Sequence, residues 1–209
     1  MNAVRLLPLL LFAALVGSGC TKPRPTADAD AAAATASDAS GADVDPARRL
    51  FEALDAHCGR AFPGVLEGDA PSDAEPAWSA AEPVLHVRVC EPSLKALAVA
   101  RGEDRSVVWL LSVRDGSLRL QHLAYNDDAT PRPGSGRFSV ASADSTAGRV
   151  EFEPEFIDPT TPAPSVSIAL DDGALVYESA GAAGPLRVRF DLRNPVPAPP
   201  APWLEAPIR

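Results

Sequence analysis

The run "PLRVRFDLR", Pro185–Arg193, decides the fold class. Leu186, Val188, Phe190 and Leu192 alternate with Arg187, Arg189, Asp191 and Arg193. In an extended chain successive side chains point to opposite faces, so this order makes one apolar face and one charged face. The same period of two recurs in "VLHVRVC" (Val84–Cys90), "SVVWLLSV" (Ser106–Val113), "SLRLQHLAY" (Ser117–Tyr125) and "RFSVA" (Arg137–Ala141). It continues through "RVEFE" (Arg149–Glu153), "SVSIAL" (Ser165–Leu170) and "ALVYES" (Ala174–Ser179). Links such as Asp115-Gly116 and Asp171-Asp172-Gly173 are hairpin signals. The pattern predicts an all-β domain, an antiparallel up-and-down meander of about eight strands. Closing the meander into a barrel removes the exposed edges of an open sheet, and a β-sandwich is the alternative.

One helix precedes the strands. Asp45 is a capping residue, Pro46 suits the first turn, and Leu50, Phe51, Leu54 and Cys58 fall on one face before Gly59 ends the helix. The β domain with its opening helix therefore spans 45–193, close to 150 residues, enough for one substantial core.

Outside that domain the composition changes. Residues 20–44 are alanine, threonine, serine and aspartate with Pro23 and Pro25, and offer no apolar face to bury, which predicts a disordered tether. The tail 194–209, "NPVPAPPAPWLEAPIR", is proline-rich and predicts an extended, polyproline-like segment lying on its own domain. Residues 1–19 hold Arg5 and an apolar run from Leu6 to Val16. That run is shorter than the roughly 20 residues needed to span a bilayer, so it reads as a signal peptide.

The run ends in "LVGSGCTKP", where small residues stand directly before Cys20. This resembles the bacterial lipobox, with Gly17 where that motif usually carries leucine. The resemblance implies cleavage before Cys20 and acylation of the cysteine. Several acyl chains anchor a protein stably. Thr21 after the cysteine implies, by the same likeness, sorting to the outer membrane of the bacterial cell envelope. Lipidation leaves Cys58 and Cys90 as an even pair in a compartment where disulfides persist, and their spacing is unlike a redox C-x-x-C, so a structural bridge is expected.

"CGRAFPG" (Cys58–Gly64), "HVRVC" (His86–Cys90) and "GEDRS" (Gly102–Ser106), followed by "SLRLQH", resemble an uncharacterised family of small secreted bacterial proteins over Cys58–Phe156. In that family the stretch after the "LRL" strand is rich in histidine and acidic residues. Here it is "QHLAYNDD", which leaves His122 alone. The later strands are also similar in architecture to lipocalin-like barrels.

Charge and motifs narrow the function. The net charge of -9 with no basic cluster argues against nucleic acid as a partner. The chain has no G-x-S-x-G, Walker A, G-x-G-x-x-G or H-E-x-x-H motif. Its three histidines, His57, His86 and His122, have no nucleophile or carboxylate placed beside them by local spacing. His86 and Cys90 share a face of one regular strand about 13 Å apart, too far for one metal. Glu151 and Glu153 share a face and read as a solvated one, and "GEDRS" reads as a hairpin turn with ion pairs among Glu103, Asp104 and Arg105. No enzyme activity, cofactor or metal is expected. The chain reads as an envelope lipoprotein whose barrel binds a small apolar ligand through the inward positions Val108, Leu110, Leu120 and Phe138. The alternative is an interaction or structural lipoprotein that presents loops and the proline-rich tail to an envelope protein.

Overall fold

In the computed structural model, which describes residues 45–70, 77–155, 164–181 and 184–204, the alternating runs form one closed antiparallel barrel. The signal segment 1–19, Cys20 and the tether 20–44 lie outside the described residues. Ten strands follow in chain order: β1 (Ala61–Leu66), β2 (Pro83–Glu91), β3 (Leu94–Arg101), β4 (Asp104–Arg114), β5 (Ser117–Ala124), β6 (Arg137–Ala141), β7 (Arg149–Pro154), β8 (Ser165–Asp171), β9 (Ala174–Gly181) and β10 (Gly184–Asp191). Each pairs with its neighbour in sequence, and β1 closes the ring by pairing with β2 through Ala61–Pro63 and with β10 through Gly64–Leu66. The barrel and its up-and-down order are as the alternation predicts; the count is ten rather than eight.

The two additional strands are those whose sequences hide the period. β1, "AFPGVL", contains Pro63 and Gly64, which read as breakers. β3, "LKALAVAR", is buried on both faces from Lys95 onward, so it shows no polar alternation. Two turns match their reading closely. Asp115 and Gly116 have φ of 52° and 78°, and Asp172 and Gly173 have 42° and 73°, the double positive φ of a type I′ hairpin.

One end of the ring is plugged. α1 (Pro46–Ala53), with Asp45 Oδ1 accepting from the Ala47 N–H at 3.0 Å, continues into a 3-10 turn at Leu54–His57. Its Ala47, Leu50, Phe51 and Leu54 join the barrel core. Barrel diameter grows with strand number, so ten strands enclose more space than eight. The α1 side chains and Phe62, Trp109, Phe152, Tyr177 and Phe190 fill it.

One side of the exterior has the opposite polarity. Across β7, β9, β10 and the end of β1, Arg149 pairs with Glu151 and Glu178 (2.5 Å each), and Arg187 pairs with Glu178 and Glu67. A transmembrane barrel needs an outward apolar band, and these strands present an ion-pair ladder instead. Among the described residues no helix is long and apolar enough to cross a membrane.

The Cys58–Cys90 disulfide is present, with Cα atoms 6.1 Å apart. It ties the entry to β1 to the end of β2. A bulge between Val87 and Val89 turns Cys90 inward, opposite Lys95, whereas His86 faces outward opposite Ala98. The two therefore lie on different faces, not on the shared face that an unbroken strand predicts.

Candidate functional site

The expected ligand positions divide between the two faces of the sheet. Leu120 points into the core and is fully buried. Val108 and Leu110 do not point inward: on β4 the interior residues are Val107, Trp109 and Leu111, and Val108 and Leu110 belong to a second apolar cluster with Ala96, Ala98, Leu123, Val89 and Tyr125. Phe138 pairs with Gln121, out of phase with Leu120, and is 42 % exposed. The physical reason is that "SVVWLL" is apolar on both faces, so alternation in β4 gives no sign of which face is inside.

The interior is solid. Leu54, Phe62, Leu85, Val87, Leu97, Leu111, Ile168, Leu175, Val188 and Phe190 have no accessible surface. A cavity large enough for water would leave accessible surface on its lining. At the centre Trp109 stacks on Tyr177 with ring centroids 4.1 Å apart, and Phe190 meets Trp109 edge-on at 6.3 Å. His122 closes this group, its Nε2 3.3 Å from the Tyr177 hydroxyl. Burial holds the His122 imidazole neutral, its pKa lowered to about 4, and pushes the Tyr177 phenol up. Residual exposure is found toward the end away from α1, at Val107, Leu186 and the half-buried His122.

The other expected groups are occupied structurally. Glu151 takes Arg149, and Glu153 accepts from the Ser142 hydroxyl at 2.8 Å. His57 stands edge-on to Phe62, and burial, then Arg60, lowers its pKa. Burial, then Arg88, lowers that of His86. Among the described residues no group of three His, Cys, Asp or Glu could hold a metal ion.

The "GEDRS" turn is a hairpin with φ of 62° at Gly102, and its ion pairs differ from those expected. Asp104 accepts from the Ser106 N–H at 2.8 Å and from Arg101 Nη2 at 2.9 Å, and Arg132 lies 3.6 Å away. Burial raises the Asp104 pKa, but the Ser106 hydrogen bonds and the two arginines outweigh it and hold the carboxyl below its usual range. Arg101 also stacks on Trp78, 4.6 Å from the ring centre, and Arg132 lies 5.5 Å from that of Trp203. These partners lie 20 or more residues away in sequence, where local spacing carries no signal.

Trp203 belongs to the tail. The Val196 N–H donates to the Ala61 carbonyl at 2.8 Å, Arg105 Nη1 donates to the Ala201 carbonyl at 2.9 Å, and the Trp203 N–H donates to the Arg105 carbonyl at 3.1 Å. The tail thus starts on β1 and ends on β4. About seven extended residues reach roughly 22 Å. Three strand spacings across β2 and β3 need about 14 Å, and the route around β10 to β5 about 34 Å. It therefore crosses β2 and β3.

No protein-family model, curated protein or solved structure matches the chain.

Proposed function

We propose that this chain is a lipid-anchored protein of the bacterial envelope that works through its outer surface, as a non-catalytic interaction module. In this reading residues 1–19 are removed, Cys20 is acylated and its acyl chains hold the protein in the outer membrane, and 20–44 tether the barrel. The likeness of Cys58–Phe156 to small secreted bacterial proteins belongs to the same proposal.

The observation that carries it is the filled interior. A carrier needs room for its cargo, and the lining of this barrel is in contact with itself and with α1. What a partner can reach is therefore the exterior and the loops, the usual place for recognition on a rigid scaffold. For a small apolar ligand the described residues leave some accessible surface at the rim by Val107, Leu186 and His122, and a cleft of about 480 Å³ beside α1 lined in part by Ala47, Phe51, Val113 and Leu118.

Native extraction followed by mass spectrometry tests the choice. Recovery of a stoichiometric protein partner is expected; a stoichiometric small molecule with no protein would overturn the interaction reading in favour of the carrier. The anchor is tested separately: Cys20→Ser is expected to yield an unacylated precursor or a product released from the membrane fraction, and unchanged membrane attachment refutes it.

A further inference from the structure

Ala61, Ala98, Val108 and Leu123 form one row across the barrel, since Ala61 and Ala98 both pair with His86, Ala98 with Val108, and Val108 with Leu123. Alternation places the row on the outside, opposite Phe62, Leu97 and Trp109. All four are nevertheless buried. The described segment anchored at the ends of this row is the tail, from Val196 at Ala61 to Trp203 at Arg105 and Arg132.

The tail shows how it is held. Val196 and Pro199 are half-buried between exposed Pro195, Pro197, Ala198 and Pro200, and from Ala201 to Leu204 every residue is half-buried. A proline-rich segment without a ladder partner takes the extended polyproline II form, whose three residues per turn set Val196 and Pro199 on one side, and its end from Ala201 onward lies closer to the barrel. The outer positions of β3 beneath it are Ala96, Ala98 and Ala100, small enough for a proline rib to approach. Polyproline II leaves its carbonyls unpaired, and the Arg105 guanidinium takes one of them. Arg132 over Trp203 fixes the end. The tail joins the sheet by a single bridge, Ala61 to Val196, and not by a ladder. Such a segment can leave without dismantling the barrel.

We propose that the outer face of β1–β5 is a docking groove for extended proline-rich segments, occupied at rest by the chain's own tail. A partner that presents such a segment with an aromatic anchor binds by displacing it. This deepens the interaction reading, on which it rests, by naming the partner's chemistry. Preformed extended proline-rich ligands in apolar grooves are a recurring recognition mode.

The test uses the full chain with a protease site inserted between Arg193 and Asn194, and a fluorescent synthetic peptide of residues 194–204 as the probe. In the uncut chain the tethered tail competes at an effective concentration in the millimolar range, so peptide binding is weak. After cleavage and dialysis the apparent affinity is expected to rise about 100-fold. A peptide carrying Trp203→Ala is expected to bind about 10-fold more weakly, and one with its prolines replaced by alanine weaker still. A cleaved protein that keeps its far-UV spectrum and disulfide but does not bind the peptide overturns the groove, as does equal binding of the proline-free peptide. Should cleavage unfold the barrel, Trp203→Ala in the uncut chain serves instead: a gain in peptide binding supports the groove, and no gain refutes it. A stoichiometric protein partner recovered by native extraction, together with failure of the peptide, removes the groove while leaving the interaction reading standing.

Discussion

Gly64→Ala sets a methyl group against the centre of the barrel. An ideal Cβ at this position would lie 2.5 Å from Phe190 Cδ1, 2.7 Å from Cε1 and 3.2 Å from the Arg189 carbonyl oxygen. Carbon atoms in contact normally sit about 3.5–4.0 Å apart, so the ring must retreat by roughly 1 Å. Phe190 is fully buried and packs edge-on against Trp109, which stacks on Tyr177, so the displacement passes to fully packed neighbours. Overpacking of this kind costs about 1–3 kcal/mol. The backbone of Gly64 is not in the positive-φ region, so alanine brings no strain there. In a roomy site the substitution would stabilise by about 0.4–1 kcal/mol through the unfolded chain. The sign of the change thus separates a packed barrel from a hollow one. Urea unfolding followed by far-UV circular dichroism should show a destabilisation of about 2 kcal/mol, or a melting temperature lower by about 4–8 °C for a domain of this size. Phe190→Leu in the same chain should recover part of it, giving a coupling of about 1 kcal/mol in the double-mutant cycle. A neutral or stabilising Gly64→Ala would refute the filled interior and, with it, the argument against cargo.

Two more predictions follow from the core and its staple. The double variant Cys58→Ala/Cys90→Ala should lose about 3–4 kcal/mol in the chain-entropy account, and reduction with alkylation should add two alkyl groups to the intact mass; free thiols in native protein would sink the bridge. His122 has a folded pKa of about 4 against an ordinary 6.5, so its contribution is intact above about pH 6.5 and is lost as pH falls toward 4, when the unfolded chain takes up the proton first. Between pH 7 and 4.5 the native protein should lose about 2 kcal/mol more than His122→Gln, after allowance for the half-buried ring. Parallel losses in the two proteins would show that His122 titrates normally.

How much of this was legible beforehand depended on whether a strand faces water. β10 and β7 have one solvated face, so charge marks the outside and the reading of Leu186 and Val188 as interior holds. β3 and β4 are buried on both faces, and there the alternation carries no polarity, so β3 gives no strand signal and nothing local tells that Val108 and Leu110 face outward. The tail, which is anchored at Ala61 and Arg105 on either side of this face, lies about 100 residues downstream, beyond any local window. The helix, its Asp45 cap and the type I′ turns were legible because their chemistry is local. The Arg101–Asp104–Arg132 cluster was not, because its aromatic partners Trp78 and Trp203 arrive only through barrel closure and the tail.

β1 is shared between two neighbours, its first half on β2 and its second half on β10. Seen as an order of events along the chain, this makes the domain a ring whose clasp is its last strand. Joining Leu66 to Val188 closes a loop of over a hundred residues, an entropic cost of about 4 kcal/mol before any contact at the seam repays it. The disulfide acts on the other half of the same strand: once Cys90 has emerged, oxidation holds β1 beside β2 while the seam waits. A chain cut short before Gly184 would keep that staple and lack the clasp. It would present the second half of β1 and the whole of β9 as two unpaired edges, the geometry by which one sheet recruits another.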